Sequence, residues 1–467
     1  MTLRADTKDV FYKSIPADAL TLTFKDAIEA TLHLGYQYIW IDSLCIEQDS
    51  PGDWSAESQR MGEYYSNSVC NLAASKESDD ASGGCFTNRN PLAAQQCLVR
   101  DTWVNTSPQL TFYVHDSQYQ YNCSVRDSGL SSRGWIVQEK ILSPRTLHFG
   151  YDQIFWDCLG HRACEAYPAH WIGQRAENKI GLWPDHMFRN KSNVLENRLS
   201  NFLHWEKVVE QYSKCSLTLP EKDRLVALSG IAKAFGDPPD YLAGLWRANL
   251  DILLLWQPCE GASRFKSFVA PSWSWASMDG GVRFREVGGD STSEETTDVI
   301  IEGHLLPILS TTQSFITLVS AQVQNEGAEA MGRVIGGHIQ LKGLLFRVDD
   351  VHVTSNALHL LWDDESEGTE AGIRASDGSC RLMPVRLSHR SMLFGLTLQK
   401  TGNKTPGEYR GVGLFVAQIP STKSALKASA FSQERLEYRP RPLEEGEYLE
   451  KTDHSKGGIE EYVISIV

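Results

Sequence analysis

The chain lacks three kinds of pattern, and each absence removes a class of function. Its ten cysteines, at positions 45, 70, 85, 97, 123, 158, 164, 215, 259 and 380, include no Cys-x-x-Cys pair. Neither a zinc knuckle nor a disulfide framework is indicated, and no metal-ligand set is read. The thiols are expected to be reduced, partly buried and packed as small hydrophobes. No run of lysine and arginine interrupts a chain whose formal net charge is −14. Binding a phosphate backbone draws on clustered cations, so nucleic acid is not the expected partner. No segment approaches the ~18 uninterrupted apolar residues of a membrane span, and the opening residues are too polar for a signal peptide. The expectation is a soluble cytoplasmic protein with no membrane contact.

What is present is an ordinary globular composition, 41% hydrophobic and 22% charged, over 467 residues. That length is two or three domains' worth at roughly 150 residues each, so core size is not limiting. The densest stretch is Tyr38-Ile-Trp-Ile-Asp-Ser-Leu-Cys-Ile-Glu-Gln-Asp49. Its β-branched and aromatic start predicts an interior strand over Tyr38 to Ile41. The abrupt polarity from Asp42 onward predicts a ligand crevice at that strand's carboxyl end.

A helix near Thr23 to His33, ended by Gly35, precedes this strand. Helix followed by strand is the second half of a βαβ crossover, which demands an earlier strand. Val10 to Tyr12 is the only candidate. After the strand, Trp54, Met61 and Tyr65 recur at helical spacing, with Asp53 as the expected N-cap. Val69 to Ala74 reads as a buried strand, and Leu98 to Val114 and Cys123 to Val125 as short strands. Trp135 to Leu142 fits two helical turns stopped by Ser143-Pro144. Arg145 to Phe149 and Gln153 to Trp156 then form a hairpin.

The blocks Leu34 to Asp49, Trp54 to Glu57, Met61-Gly-Glu-Tyr-Tyr65, Arg133-Gly-Trp-Ile-Val-Gln-Glu139 and Leu142-Ser-Pro-Arg145 resemble the fungal heterokaryon incompatibility (HET) domain. The resemblance covers roughly residues 14 to 160. One departure stands out: the usual opening block, of the type aromatic-x-Ala-Leu-Ser-Tyr-x-Trp-Gly, has no counterpart here. Its strand is the one the crossover asks for. The alternatives are a truncated gene model or a shortened variant that patches the sheet with Val10 to Tyr12.

The resemblance implies an α/β fold with a short, mostly parallel sheet flanked by helices, TIR-like or flavodoxin-like. It also implies a role in non-self recognition and cell death through a protein partner or self-association. Some TIR domains cleave the nicotinamide–ribose bond of NAD with a glutamate in a Trp-x-x-Glu pattern, and Trp54 and Glu57 stand in that arrangement. NAD is then a substrate, with no cofactor required. Such cleavage needs a carboxylate beside an oxocarbenium-like centre. Glu57 is therefore the candidate catalytic group. Asp42, Ser43, Trp54, Arg133, Gln138 and Glu139 are candidate substrate-binding residues.

The competing reading of Asp53 and Glu57 is helix capping and macrodipole stabilisation. Two other functions compete with the effector: a catalytically silent interaction module, and a scaffold recruited as an enzyme in a fungal metabolite pathway. The division expected is a HET-like domain over 1–165, a helical connector over 166–265 and a β-rich region over 266–467. Within the connector, Leu199 to Tyr212, Glu221 to Phe235 and Leu242 to Trp256 show apolar stripes. In the last region the alternating runs His338 to Val348, Gly411 to Gln418 and Glu461 to Ile466 predict strands.

Overall fold

The computed structural model describes residues 2–76, 83–86, 88, 97–100, 111–114, 117–158, 161–169, 205–285, 313–327, 329–348, 358–363, 378–387, 392–403, 405–418, 443–453 and 460–467. Packing divides the chain into two units. The first comprises Met1–Val208, Cys215–Thr218 and Val226–Phe235, and the second Val209–Lys214, Leu219–Leu225 and Gly236–Val467.

The first unit opens with a single helical turn, α1 (Lys8–Phe11), followed by α2 (Leu22–His33). Thr21 caps α2 by accepting from the Phe24 N–H, and Gly35 ends it at φ +82°, a conformation that glycine adopts without penalty. A second single turn, α3 (Asp42–Cys45), leads to α4 (Pro51–Asn67). Ser50, rather than Asp53, caps α4: its hydroxyl accepts from the Asp53 N–H at 3.2 Å, and Pro51 takes the first helical position. Asp53 turns its carboxylate back to accept from the Glu47 N–H at 2.8 Å.

Strand β1 (Asn71–Ala73) follows, then the pair β2 (Cys97–Arg100) and β3 (Thr111–Val114), α5 (Ser117–Tyr121) and α6 (Gly134–Leu142). The expected hairpin is present as β4 (Arg145–Phe149) and β5 (Ile154–Cys158), continued by β6 (Arg162–Cys164). The four-stranded sheet runs β1-β4-β5-β6. Glycine permits one close crossing: a Cβ on Gly62 of α4 would lie 2.9 Å from the Gly230 Cα, in the helix Ser229–Phe235.

Several expectations are corrected here. Tyr38 to Ile41 is not an interior strand: it is neither helix nor strand, and Tyr38 is 89% exposed. β-propensity measures fit to a neighbouring strand, and this segment has none among the described residues. Val10 to Tyr12 does not supply one, because Lys8–Phe11 is helical and the N-terminal residues strap the following loop instead. Leu3 N–H donates to Ser43 O at 2.8 Å, and Leu3 O accepts from Gln48 N–H at 2.9 Å. The described sheet is also not mostly parallel. Only β1 and β4 pair in parallel, whereas β4/β5 and β5/β6 are antiparallel, since a short hairpin loop can only reverse the chain. Cys123 to Val125 is helical. Leu242 to Trp256 is broken into short pieces, where Ala243, Gly244 and Asn249 take positive φ and interrupt any helix. Of the connector, 170–204 lies outside the described residues; 205–213 is helical.

The second unit carries three small pairs, β7 (Tyr241–Leu242) with β8 (Leu245–Trp246), β9 (Trp256–Pro258) with β12 (Val282–Phe284), and β10 (Ser263–Arg264) with β11 (Met278–Asp279). Its β-rich character is as expected and centres on a ten-stranded sheet. The strands are β13 (Gln313–Ser314), β14 (Ile316–Asn325), β15 (Val334–Gly343), β16 (Phe346–Arg347), β17 (Leu358–Trp362), β18 (Cys380–Leu387), β19 (Met392–Lys400), β20 (Glu408–Gln418), β21 (Glu450–Asp453) and β22 (Glu460–Ile466). The main path runs β13-β18-β19-β20-β22-β15-β14. β13 and β14 are separated only by Phe315, whose N–H donates to Val385 O at 2.8 Å, so the sheet closes on itself through 313–325. Every residue of β18 is buried.

The first unit depends on a buried polar network. Asp157 on β5 accepts from Tyr121 Oη at 2.6 Å, from Arg162 Nε at 2.8 Å and from His148 Nε2 at 3.1 Å, while His148 Nδ1 lies 3.3 Å from Ser75 Oγ. Burial pushes the Asp157 carboxyl up. The hydrogen bond and charge of His148, with Arg162 and Tyr121, outweigh it and hold the group well below the usual carboxylate range. A depressed carboxyl pKa stabilises the fold above the ordinary carboxyl range, and that stability is lost as pH falls toward the folded value. Asp157→Asn is expected to cost about 3–5 kcal/mol in denaturant unfolding, because it strands a buried guanidinium. It should also flatten the acid limb of the stability profile. A loss below ~1 kcal/mol would show the network to be dispensable.

Candidate functional site

The α3 turn and helices α4 and α6 carry most of the candidate residues. Residues 57, 61, 64 and 65 recur at helical spacing along α4, so Glu57 and Tyr64 lie two turns apart on one face. The Tyr64 hydroxyl donates a short hydrogen bond to Glu57 Oε2, and Arg60 Nη1 donates to Oε1 at 3.2 Å. Tyr64 is pushed up to about 12, by burial first and then by its bond to Glu57.

The Trp40 ring lies against both tyrosines. Its centroid is 5.1 Å from Tyr64 in a tilted stack and 5.8 Å from Tyr65 edge to face, the geometry that aromatic quadrupoles favour. Tyr65 in turn hydrogen-bonds Glu139 on α6, and burial together with the charge of Glu139 raises the phenol well above its usual value. Glu139 itself is raised to about 7. Burial is the main cause and the charge of Asp42 adds to it, against the Tyr65 hydrogen bond and the charge of Arg133. Cys45 is raised by burial and by the charges of Asp42 and Glu57. Glu57 and Glu139 thus each bond to a tyrosine of the Trp40–Tyr64–Tyr65 ring cluster, with Asp42 and Arg133 in electrostatic reach of Tyr65 and Glu139.

The remaining candidates are placed as follows. The Asp42 side chain accepts from the Ser43 N–H at 2.6 Å, and Ser43 Oγ is buried without a hydrogen-bond partner among the described residues. Arg133 is the N-cap of α6 and is exposed. Trp54 packs edge to face on Trp135 at 6.3 Å rather than on the ring cluster. Gln138 is fully buried, and its Oε1 accepts from the Gly230 N–H at 2.8 Å. Its amide is used to hold a helix contact.

Trp40, Tyr64 and Tyr65 were not among the residues selected from the sequence. The Glu57 to Tyr64 spacing of two helical turns was the available signal for one of them. Among the described residues no group of His, Cys, Asp and Glu could hold a metal ion, and no helix is long and apolar enough to cross a membrane.

Chemically, a carboxyl titrating near 7 beside an aromatic surface can exchange a proton with a bound substrate or water at neutral pH. The raised pKa also bears on stability. A folded-state pKa above the unfolded value means stability that is complete below about 4.5 and lost as pH rises through about 7. Glu139→Gln cannot ionise, so the variant should gain on the parent between those values, by on the order of 1 to 3 kcal/mol, and the gap should level off above them. Thermal unfolding across that window tests this, and a constant gap would show that Glu139 titrates normally.

Residues 2–139 match the sequence model of the family described as Heterokaryon incompatibility protein (HET). No curated protein and no solved structure matches the chain. The matched segment takes in α1 to α4 and ends on Glu139, so it holds every member of the ring and carboxyl cluster.

Proposed function

We propose that the chain, whose residues 2–139 match the HET family model, is a cytoplasmic effector of fungal non-self recognition whose first unit cleaves the nicotinamide–ribose bond of NAD. The observation that carries this reading is the bonding of Glu57 to Tyr64 and of Glu139 to Tyr65 beside Trp40, with Asp42 in electrostatic reach of Tyr65 and Glu139. The chemistry follows from a distant, TIR-like relationship of HET domains, which is part of the proposal.

In the reaction the C1′–N bond breaks and its electron pair leaves with neutral nicotinamide. The ribosyl cation is captured by water, and one proton is released. Glu57, oriented by Tyr64 and Arg60, stabilises the developing positive charge. Glu139, titrating near 7, takes the proton from the attacking water, and Tyr65 orients it. The ring surface provides a stacking face for the nicotinamide ring as it departs. Loss of NAD then accounts for cell death.

The test is nicotinamide release from NAD by the purified full chain, followed by chromatography. Glu57→Gln is expected to lower turnover by ~10²-fold or more. Glu139→Gln is expected to remove the limb of the pH–rate profile near 7. In a fungal host, expression of the parent should arrest growth, and that of Glu57→Gln should not. A folded parent that releases no nicotinamide above a buffer blank would refute the reading and leave a catalytically silent interaction module.

A further inference from the structure

We propose that Lys140, Arg126 and Arg162 form a binding site for a phosphate-class dianion, either the free ion or the terminal group of a small phosphate monoester. The inference is independent of the NAD reading.

The three cations gather at one end of the Asp157 network. Asp157 already takes three donors, Tyr121 Oη at 2.6 Å, Arg162 Nε at 2.8 Å and His148 Nε2 at 3.1 Å, and the Arg162 guanidinium lies 3.6 Å from the Tyr121 ring centroid. Tyr121 ends α5, and the helical turn Asn122–Arg126 that follows it leaves Arg126 in electrostatic reach of the Tyr121 phenol. Just before Arg126, the Val125 carbonyl accepts from Ser128 Oγ at 3.1 Å and from Ser131 Oγ at 2.5 Å, and the Ser131 carbonyl accepts from Cys215 Sγ at 3.7 Å. These bonds tie Arg126 and Cys215 to one wall. Lys140, on α6, is in electrostatic reach of Asp157, Arg162, Arg126 and Cys215, so it stands among them.

Charge decides what the cluster lacks. One carboxylate faces three cations, in a chain of net charge −14. Asp157 bonds to Arg162, Tyr121 and His148, while the Lys140 amine and the Arg126 guanidinium make no hydrogen bond or ion pair among the described residues. Burial first, and then the two guanidiniums, hold the Lys140 amine below its usual value, against the charges of Asp157 and Cys215. An anion bound beside Lys140 and Arg126 supplies the missing counter-charge.

The donors select the class of anion. An ammonium offers three donors and a guanidinium a planar fork, a set suited to the several oxygens of a phosphate. Two unmatched positive charges suit a dianion better than a single carboxylate. Arg126 is exposed, and Lys140 and Cys215 are part-buried, so the cluster opens to solvent.

Calorimetric titration of the full chain with inorganic phosphate and with glycerol phosphate, at fixed ionic strength in chloride, tests the proposal. Saturable binding is expected, and phosphate should slow acetylation of Lys140 by acetic anhydride, read by mass spectrometry. Tighter binding of glycerol phosphate assigns the site to an ester, and tighter binding of phosphate to the free ion. Lys140→Met and Arg126→Gln should each weaken binding by about tenfold or more, whereas Lys25→Met, at an exposed position on α2, should not. Arg126→Gln alters an exposed side chain, so it keeps the test decisive even where Lys140→Met fails to fold. Absence of saturable binding would overturn the proposal. So would binding that Arg126→Gln leaves as tight as the parent, or acetylation of Lys140 that phosphate does not slow.

Discussion

The first unit depends on one buried carboxylate. Asp157 is fixed by three donors, from α5, β4 and β6, and through His148 the network reaches Ser75, just past the end of β1. All four strands of the sheet are thereby tied through side chains as well as through the backbone ladder. A buried charge of this kind adds little net stability when every partner is present, but removing one partner is costly. Arg162 also lies flat over the Tyr121 ring, 3.6 Å from its centroid, so the cation is held by an aromatic face and a carboxylate together. The sheet that results is the platform from which α6 and β4 run, and α6 carries Glu139.

The candidate site obeys a different logic. Its carboxyls bond to tyrosine hydroxyls beside an indole ring, and cations play a lesser part. Glu57 keeps an arginine within reach, but Glu139 has a tyrosine hydroxyl as its direct partner and a second carboxylate as an electrostatic neighbour. A group so placed resists ionisation, and that resistance works against stability. Structural carboxylates in this protein, such as Asp157 and Glu447, are depressed by cations; Glu139 is raised. That difference in environment separates a group able to exchange protons near neutral pH from groups that hold the fold.

The second unit solves the edge problem by closure. Its long sheet returns on itself through β13 and β14, so the central strands β18, β19 and β20 are buried on both faces. Glycine is required within this interior, as at position 395: a Cβ there would fall 2.4 Å from Met383 O and closer still to the Phe415 ring. Arg381 enters the interior only because Glu447 receives it, with Lys400 and Arg347 on the same carboxylate. The first unit, by contrast, leaves the strand-forming segment Tyr38 to Ile41 outside any sheet among the described residues.

Local pattern carried much of this architecture. The helices over 22–33, 51–67 and 134–142, the hairpin of β4 and β5, the strands at 338–343, 411–418 and 461–466 and the likeness of residues 2–139 to the HET family model were legible from periodicity, turn residues and two ordered motif blocks. Each of these depends on neighbours a few residues apart, which a linear sequence records. The fate of Tyr38 to Ile41 was not legible, because strand propensity expresses a capacity for pairing and only the tertiary structure decides whether a neighbour is present. Ser50 displaced Asp53 as the cap for a similar reason: both can accept at a helix start, and the loop's need for a bond to the Glu47 N–H decided between them. The closure of the sheet through 313–325 and the meeting of Trp40 with Tyr64 and Tyr65, and of Tyr65 with Glu139, join residues tens of positions apart. Such encounters are fixed by packing in three dimensions, and no periodicity along the chain encodes them.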